Sequence, residues 1–325
     1  MNFIFSACLV ALLSHYIFGF VWITSFILGT ILGSNSVAIV VPLTEKLKMS
    51  DNCRTALTSE STLGGVFSIV LTIALLDMIK ENNYNASILL GHLFYSFFIS
   101  FLVGSIAGVF WTTILSNIRK LKNSIFLTLA FVMLVYSSTQ LMGADGSIGV
   151  FVFGIVAGNI ETLKKRGIFN LLEVFNLNPA SKTFNETEKN FFSEVSFIFL
   201  IFFFVYIGIS LEIENYFTLL FGLIFALMFI VLRLPLVANT LKSITKKDAL
   251  LASIIMPKGL ITAVLCSLAV QANIPQAHFM QELIFTIILF SIVLTTLFSG
   301  LIDKNKYSKS VTELFFNSQQ EDIKE

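Results

Sequence analysis

The sequence predicts an all-α polytopic membrane protein, with about ten transmembrane helices, inverted-topology repeats and two discontinuous crossing helices. Three observations predict it. First, 56% of the 325 residues are hydrophobic, only 13% are charged and 35 are Phe, and apolar runs of about twenty residues recur along the whole chain, each long enough to cross a bilayer. Mean hydropathy is +0.86. Second, basic residues are confined almost entirely to alternate loops. Third, two spans in corresponding positions are interrupted by polar or helix-breaking residues.

Taken in order, the spans run from about Phe3 to Phe20, Val21 to Leu43, Cys53 to Ile79, Ile88 to Leu115 and Ser124 to Met142. They continue from Asp145 to Ile160, Phe192 to Leu211, Phe217 to Ala238, Ala249 to Val270 and Phe279 to Ile302. A transmembrane domain is therefore expected over residues 1–302, with a first repeat remnant at 3–79 and a second repeat core at 217–302. Residues 161–190, long and mixed in charge, are expected to form a solvated linker. Residues 303–325 form a short polar tail, with a weak surface helix around Val311 to Phe316. The first residues carry no basic stretch and no small-x-small cleavage pattern follows Ala11, so the first apolar run is expected to be a span rather than a removable signal.

Orientation follows from Lys and Arg. Lys46, Lys48 and Arg54 follow the second span, Arg119, Lys120 and Lys122 the fourth, and Lys164, Lys165, Arg166, Lys182 and Lys189 the sixth. Lys242, Lys246 and Lys247 follow the eighth, and Lys304, Lys306, Lys309 and Lys324 the tenth, which places eighteen of the 21 basic residues in alternate loops. These loops are expected on the cytoplasmic side of the cell membrane, together with both termini.

With this topology the first three spans and the last three enter the bilayer from opposite sides, as in an inverted repeat. The middle span of each triplet is broken, at Gly33-Ser34-Asn35-Ser36 and at Pro257-Lys258-Gly259. Alone, the first would serve as a polar helix contact and the second as a kink. In mirrored positions they point to an ion or substrate site at the membrane midplane, where dipole ends and free carbonyls face a cavity.

Ionisable residues inside the spans sharpen this. Glu60 lies about 11 Å into its span at 1.5 Å per residue, and Arg233 lies at comparable depth from the same side. An ion pair is expected, either fixing two helices together or taking a direct part in transport; removing one partner of a buried pair costs about 3–5 kcal/mol. Lys258, beside the second break, would neutralise the carbonyl end of a half-helix or act as a titrating cation. Asp145 reads as a helix cap. Cys8, Cys53 and Cys266 have neither metal nor disulfide spacing, and His15, His92 and His278 are isolated. No nucleophile triad, metal-ligand cluster or phosphate-binding glycine loop supports an enzyme, a resident cofactor or a nucleic-acid partner.

These residues resemble the monovalent cation:proton antiporter superfamily, the sodium/hydrogen exchangers. Gly29 to Leu43 resembles the family's first crossing helix, with Ser-Asn-Ser where Thr-Asp-Pro is usual. Ser59-Glu60-Ser61-Thr62-Leu63 resembles the signature of the next helix, a Glu followed four and five residues later by Asn-Asp or Thr-Asp. Gly154 to Asn159, Phe202 to Gly208 and Met256-Pro257-Lys258-Gly259-Leu260 are similar to later family segments in the right order, and Arg233 matches the arginine that pairs with the signature Glu. Two departures stand out. Gly65, preceded by Gly64, occupies the position of the carboxylate that in the family alternately holds the proton and the cation. The chain also begins late, its spans corresponding to the last ten of about thirteen, so a fragment, split gene product or decayed copy is one expectation.

The resemblance implies exchange of Na⁺ or K⁺ for H⁺ by alternating access, with the bilayer, the cation and the proton as partners and a possible homodimer or separately encoded N-terminal helices. Ser34, Asn35, Ser36 and Ser61 are expected along the ion path, with Glu60, Arg233 and Lys258 as its electrostatic scaffold. If exchange survives without the aspartate, Glu60 or Lys258 must carry the proton. The alternatives are a transport-inactive or split-gene homologue acting as a structural or regulatory subunit and, more weakly, a carrier of an anion or organic solute drawn by Lys258.

Overall fold

A computed structural model describes residues 2–80, 86–118, 124–165, 186–211, 215–241 and 244–303. Every regular element in them is helical: α1 (Asn2–Phe18), α2 (Trp22–Gly33), α3 (Val37–Lys46), α4 (Asp51–Lys80), α5 (Ala86–Ile118), α6 (Ser124–Leu141), α7 (Gly146–Gly158), α8 (Ile160–Lys165), α9 (Glu186–Ser210), α10 (Tyr216–Thr240), α11 (Lys246–Ile254), α12 (Leu260–Gln271) and α13 (Ala277–Asp303). Six stretches are long and apolar enough to cross a membrane, counting α2 with α3 as one, and α1, α6, α7 and α12 are shorter apolar helices.

The ten expected spans are all present as helix, and the two expected to be broken are broken. The linker expected at 161–190 differs at both ends: α8 reaches Lys165 and α9 starts at Glu186. A polar helical turn has no hydropathy signal, so hydropathy alone places these helix ends several residues inside their true limits. Residues 166–185 and the tail helix expected around Val311 to Phe316 lie outside the described residues.

The helices cluster into two units, one of Met1–Asn83 with Phe203–Glu325 and one of Tyr84–Phe202. In the second, α5 and α7 approach closely because Gly104 and Gly108 face α7: a Cβ on Gly104 would stand 2.9 Å from the Val152 side chain, and one on Gly108 2.9 Å from Val156. Trp111 of α5 stacks on Phe131 of α6 at 4.4 Å. Asp145 caps α7 as expected, accepting from the backbone N–H of Ser147 at 2.7 Å and of Ile148 at 3.1 Å.

The first unit contains both broken spans. Small residues bring α2 against α1, where a Cβ on Gly33 would meet the Phe3 ring at 2.8 Å. Gly33 is thus the last helical residue of α2 and a close-contact residue, and the chain leaves the helix at Ser34. At one end of the unit Phe18, from the end of α1, contacts Phe217, Phe221 and Phe225 of α10 and Phe279 of α13. At the other, Val40, Cys53, Leu57, Val237 and Leu251 join α3, α4, α10 and α11 in a dry cluster. The two breaks lie in the same unit as these apolar packings, which fix the helices that carry them.

Candidate functional site

Each broken span leaves backbone groups without helical partners, and in an apolar interior these must be bonded elsewhere. The two breaks bond to each other: Ser36 donates its backbone N–H to the carbonyl of Pro257 at 2.8 Å. Contact is tight enough to require glycine on the opposite side, since a Cβ on Gly259 would stand 2.6 Å from the Ser36 Cβ. Two N–H groups and one carbonyl at the second break are bonded by α13. Thr295 Oγ1 accepts from Met256 N at 3.4 Å and donates to Ile254 O at 3.2 Å, and Ser291 Oγ accepts from Lys258 N at 3.0 Å. Ser291 and Thr295, four residues apart on one helix face, are functional positions that sequence reading missed. In an apolar span they look like ordinary small packing residues.

Lys258 is fully buried. Its ammonium donates to Ser34 O and to Asn35 Oδ1, both at 3.1 Å, and stands 4.3 Å from the centre of the Phe229 ring. Ser34 caps the C-terminus of α2, so the Lys258 side-chain nitrogen sits at the carbonyl end of that half-helix.

Asn35 joins this cation to the carboxylate. Its amide oxygen takes the Lys258 bond, and its nitrogen donates to Glu60 Oε1 at 3.4 Å. Glu60 Oε1 also accepts from Asn2 Nδ2 at 2.8 Å, and Oε2 from Arg233 Nη2 at 2.8 Å. The expected Glu60–Arg233 pair therefore exists, with the arginine 1% and the glutamate side chain 32% exposed. Asn2 was not read from the sequence, because an amide in the first turn of an apolar helix carries no positional signal.

Of the expected ion-path residues, Ser34, Asn35, Ser36, Glu60 and Lys258 converge. Ser61 is buried on α4, but no hydrogen bond among the described residues joins it to Asn35, Glu60 or Lys258. Gly64 and Gly65 do border the crossing: a Cβ on Gly64 would lie 3.7 Å from Ser34 Cα, and one on Gly65 3.0 Å from Ile261 Cδ1. Among the described residues no group of three or more His, Cys, Asp or Glu side chains is arranged to hold a metal ion.

The family model for the transmembrane sodium/hydrogen exchanger matches residues 1–302. This chain belongs to the sodium/hydrogen exchanger family. It is an integral membrane protein. Among curated relatives, it is 22% identical over 169 residues to the K(+)/H(+) antiporter NhaP2 of Shewanella baltica, a match covering 50% of this chain and 29% of that protein. A match to NhaP2 of Shewanella oneidensis is 23% identical over 168 residues, with the same shares. The aligned stretch thus spans well under half the length of these curated relatives. The solved sodium proton antiporter MjNhaP1 of Methanocaldococcus jannaschii matches with a TM-score of 0.68 at 17% identity, over 97% of this chain and 77% of that one. This likeness establishes the antiporter fold.

Proposed function

We propose that this exchanger moves Na⁺ or K⁺ against H⁺ across the cell membrane by alternating access, with both termini cytoplasmic, and that Lys258 carries the proton. The observation that carries this reading is the place of its ammonium, held by Ser34 O and Asn35 Oδ1 at 3.1 Å each. A carbonyl and an amide oxygen converging on a monovalent cation are also ligands for an alkali ion. An incoming Na⁺ or K⁺ competes with the ammonium for these oxygens, and the side chain can yield them without leaving a second buried charge only by releasing its proton. Return of the proton restores the ammonium and expels the ion.

Glu60 fits the proton-carrying role less well. Its two oxygens accept from Asn2, Asn35 and Arg233, and a proton on either would remove the negative charge that pairs with the buried guanidinium. Glu60 and Arg233 then serve as the fixed scaffold that orients Asn35. Ser36, bonded to Pro257, couples the two crossing spans so that they move together.

The test is a proteoliposome assay with a pH-sensitive dye inside the vesicles, pulsed with Na⁺, K⁺ or Li⁺. Cation-dependent alkalinisation by the wild type, lost in Lys258→Gln and retained in Glu60→Gln, is the expected result. Retention in Lys258→Gln with loss in Glu60→Gln would transfer the role to the carboxylate.

Gly65 favours a second reading, a homologue that keeps the scaffold but not the coupling chemistry and works as a subunit beside another membrane polypeptide. Silence of the wild type with activity in Gly65→Asp, or co-purification of a second membrane chain, would support it.

A further inference from the structure

The charges at the crossing do not balance. Arg233 and Lys258 are both buried to within 1% of full enclosure, and among the described residues Glu60 is the one carboxylate bonded to the cluster. Lys258 lies over Phe229, one helical turn before Arg233 on the same face of α10, so the two cations are neighbours. Lys258 satisfies its donors with neutral oxygens only. Arg233 uses a single nitrogen, Nη2, on Glu60; its Nε and Nη1, both buried, have no hydrogen-bond partner. Two N–H-bearing nitrogens of a guanidinium left unbonded in an apolar interior are costly, and a cationic excess there is costlier.

We infer that the crossing binds a small monovalent anion, of halide or formate size, against the free nitrogens of Arg233 and beside Lys258, as a resident counter-charge. The guanidinium flanks supply the directional donors, and the ammonium supplies a second positive charge at short range. On the α4 side the crossing is bordered by two glycines. Gly64 lies one turn beyond Glu60 on the same helix face, and a Cβ there would make only ordinary contacts with Ser34, whose carbonyl holds Lys258. A Cβ on Gly65 would stand 3.0 Å from Ile261 Cδ1, the far end of a side chain that must give way slightly to admit it. A carboxylate on α4 at this level would supply the same charge covalently, so the bound anion and an acidic residue at position 65 are interchangeable solutions to one electrostatic problem. The anion is not transported; it balances the two cations in the state in which Lys258 holds its proton, and its binding is readable without any flux.

The experiment is thermal unfolding of the purified protein at fixed Na⁺ and fixed ionic strength, with chloride, bromide, nitrate or formate replacing gluconate, a bulky anion unsuited to a buried site. Chloride and formate are expected to raise Tm saturably by at least about 3 °C over gluconate. Lys258→Gln should weaken the apparent anion affinity at least about tenfold, through loss of one of the two facing charges. Gly65→Asp, which leaves both cations in place, should abolish the shift and unfold in gluconate at or above the wild-type temperature. Equal Tm in all anions, or a wild-type shift persisting in either variant, overturns the inference. Because unfolding is measured and not flux, a protein that fails to exchange cations can still bind the anion, and the reverse.

Discussion

Lys258 Nζ and Asn35 Oδ1 are 3.1 Å apart, and the other end of the same amide reaches Glu60. One neutral side chain therefore relays between a buried cation and a carboxylate that do not touch. This arrangement fixes the orientation of the amide, because only the oxygen can face the ammonium and only the nitrogen can face the carboxylate. Asn35→Leu, similar in size but unable to bond either partner, should lose about 1–3 kcal/mol of stability and at least about tenfold in exchange rate. Thermal unfolding alongside the dye assay measures both.

Arg233 and Glu60 form the most unequal pair in the site, the arginine 1% and the carboxylate 32% exposed. The buried partner bears the greater cost of separation. Glu60→Ala should destabilise the protein by about 3–5 kcal/mol, whereas Glu60→Gln, whose amide oxygen still accepts from Arg233, should cost distinctly less. Adding Arg233→Met to Glu60→Ala should recover part of the loss, which a double-mutant cycle of unfolding free energies would read as a coupling of about 0.5–3 kcal/mol.

How far the site could be read in advance depended on how each residue contrasts with its surroundings. Glu60, Arg233 and Lys258 are charges in apolar spans, and their depths alone were enough to pair two of them. Ser34 to Ser36 and Pro257 interrupt apolar runs, so both helix breaks were legible, as was the cap at Asp145. Ser291, Thr295 and Asn2 gave no such contrast: small polar residues occur throughout membrane helices, and what matters is the backbone group that each faces, which is a property of the tertiary packing. Gly33 was legible as an interruption, but its need for close contact with Phe3 depends on α1. The ends of α8 and α9 were hidden for the opposite reason, being polar turns that extend a helix without adding hydropathy.

Ser291 and Thr295 complete the second break from α13. Removing either hydroxyl strands a buried backbone group of the break. Ser291→Ala and Thr295→Val should each cost about 1–3 kcal/mol, with Thr295→Val the larger because that hydroxyl both accepts from Met256 and donates to Ile254. Ser291→Ala should affect exchange more than Thr295→Val does, since the N–H that it strands belongs to Lys258 itself. Unfolding and flux measured on the same preparations would separate the two effects, and equal loss of flux in both variants would remove Ser291 from any special role.

Gly259 and Ser36 set how closely the two crossing spans approach. A Cβ on Gly259 would lie 2.6 Å from the Ser36 Cβ, against side-chain atoms on a short, stiff residue that cannot swing away. The same contact sits beside the Ser36 to Pro257 hydrogen bond of 2.8 Å, so a forced separation stretches the one backbone link between the breaks. Gly259→Ala should therefore destabilise by about 1–3 kcal/mol through overpacking and slow exchange together with stability. Ser36→Gly removes both opposing atoms, Cβ and Oγ, while keeping the backbone donor. The double variant Ser36→Gly, Gly259→Ala should then recover most of the stability lost in Gly259→Ala. If flux returns along with it, the function of Ser36 is spatial; if stability returns and flux does not, the Ser36 hydroxyl belongs to the ion path.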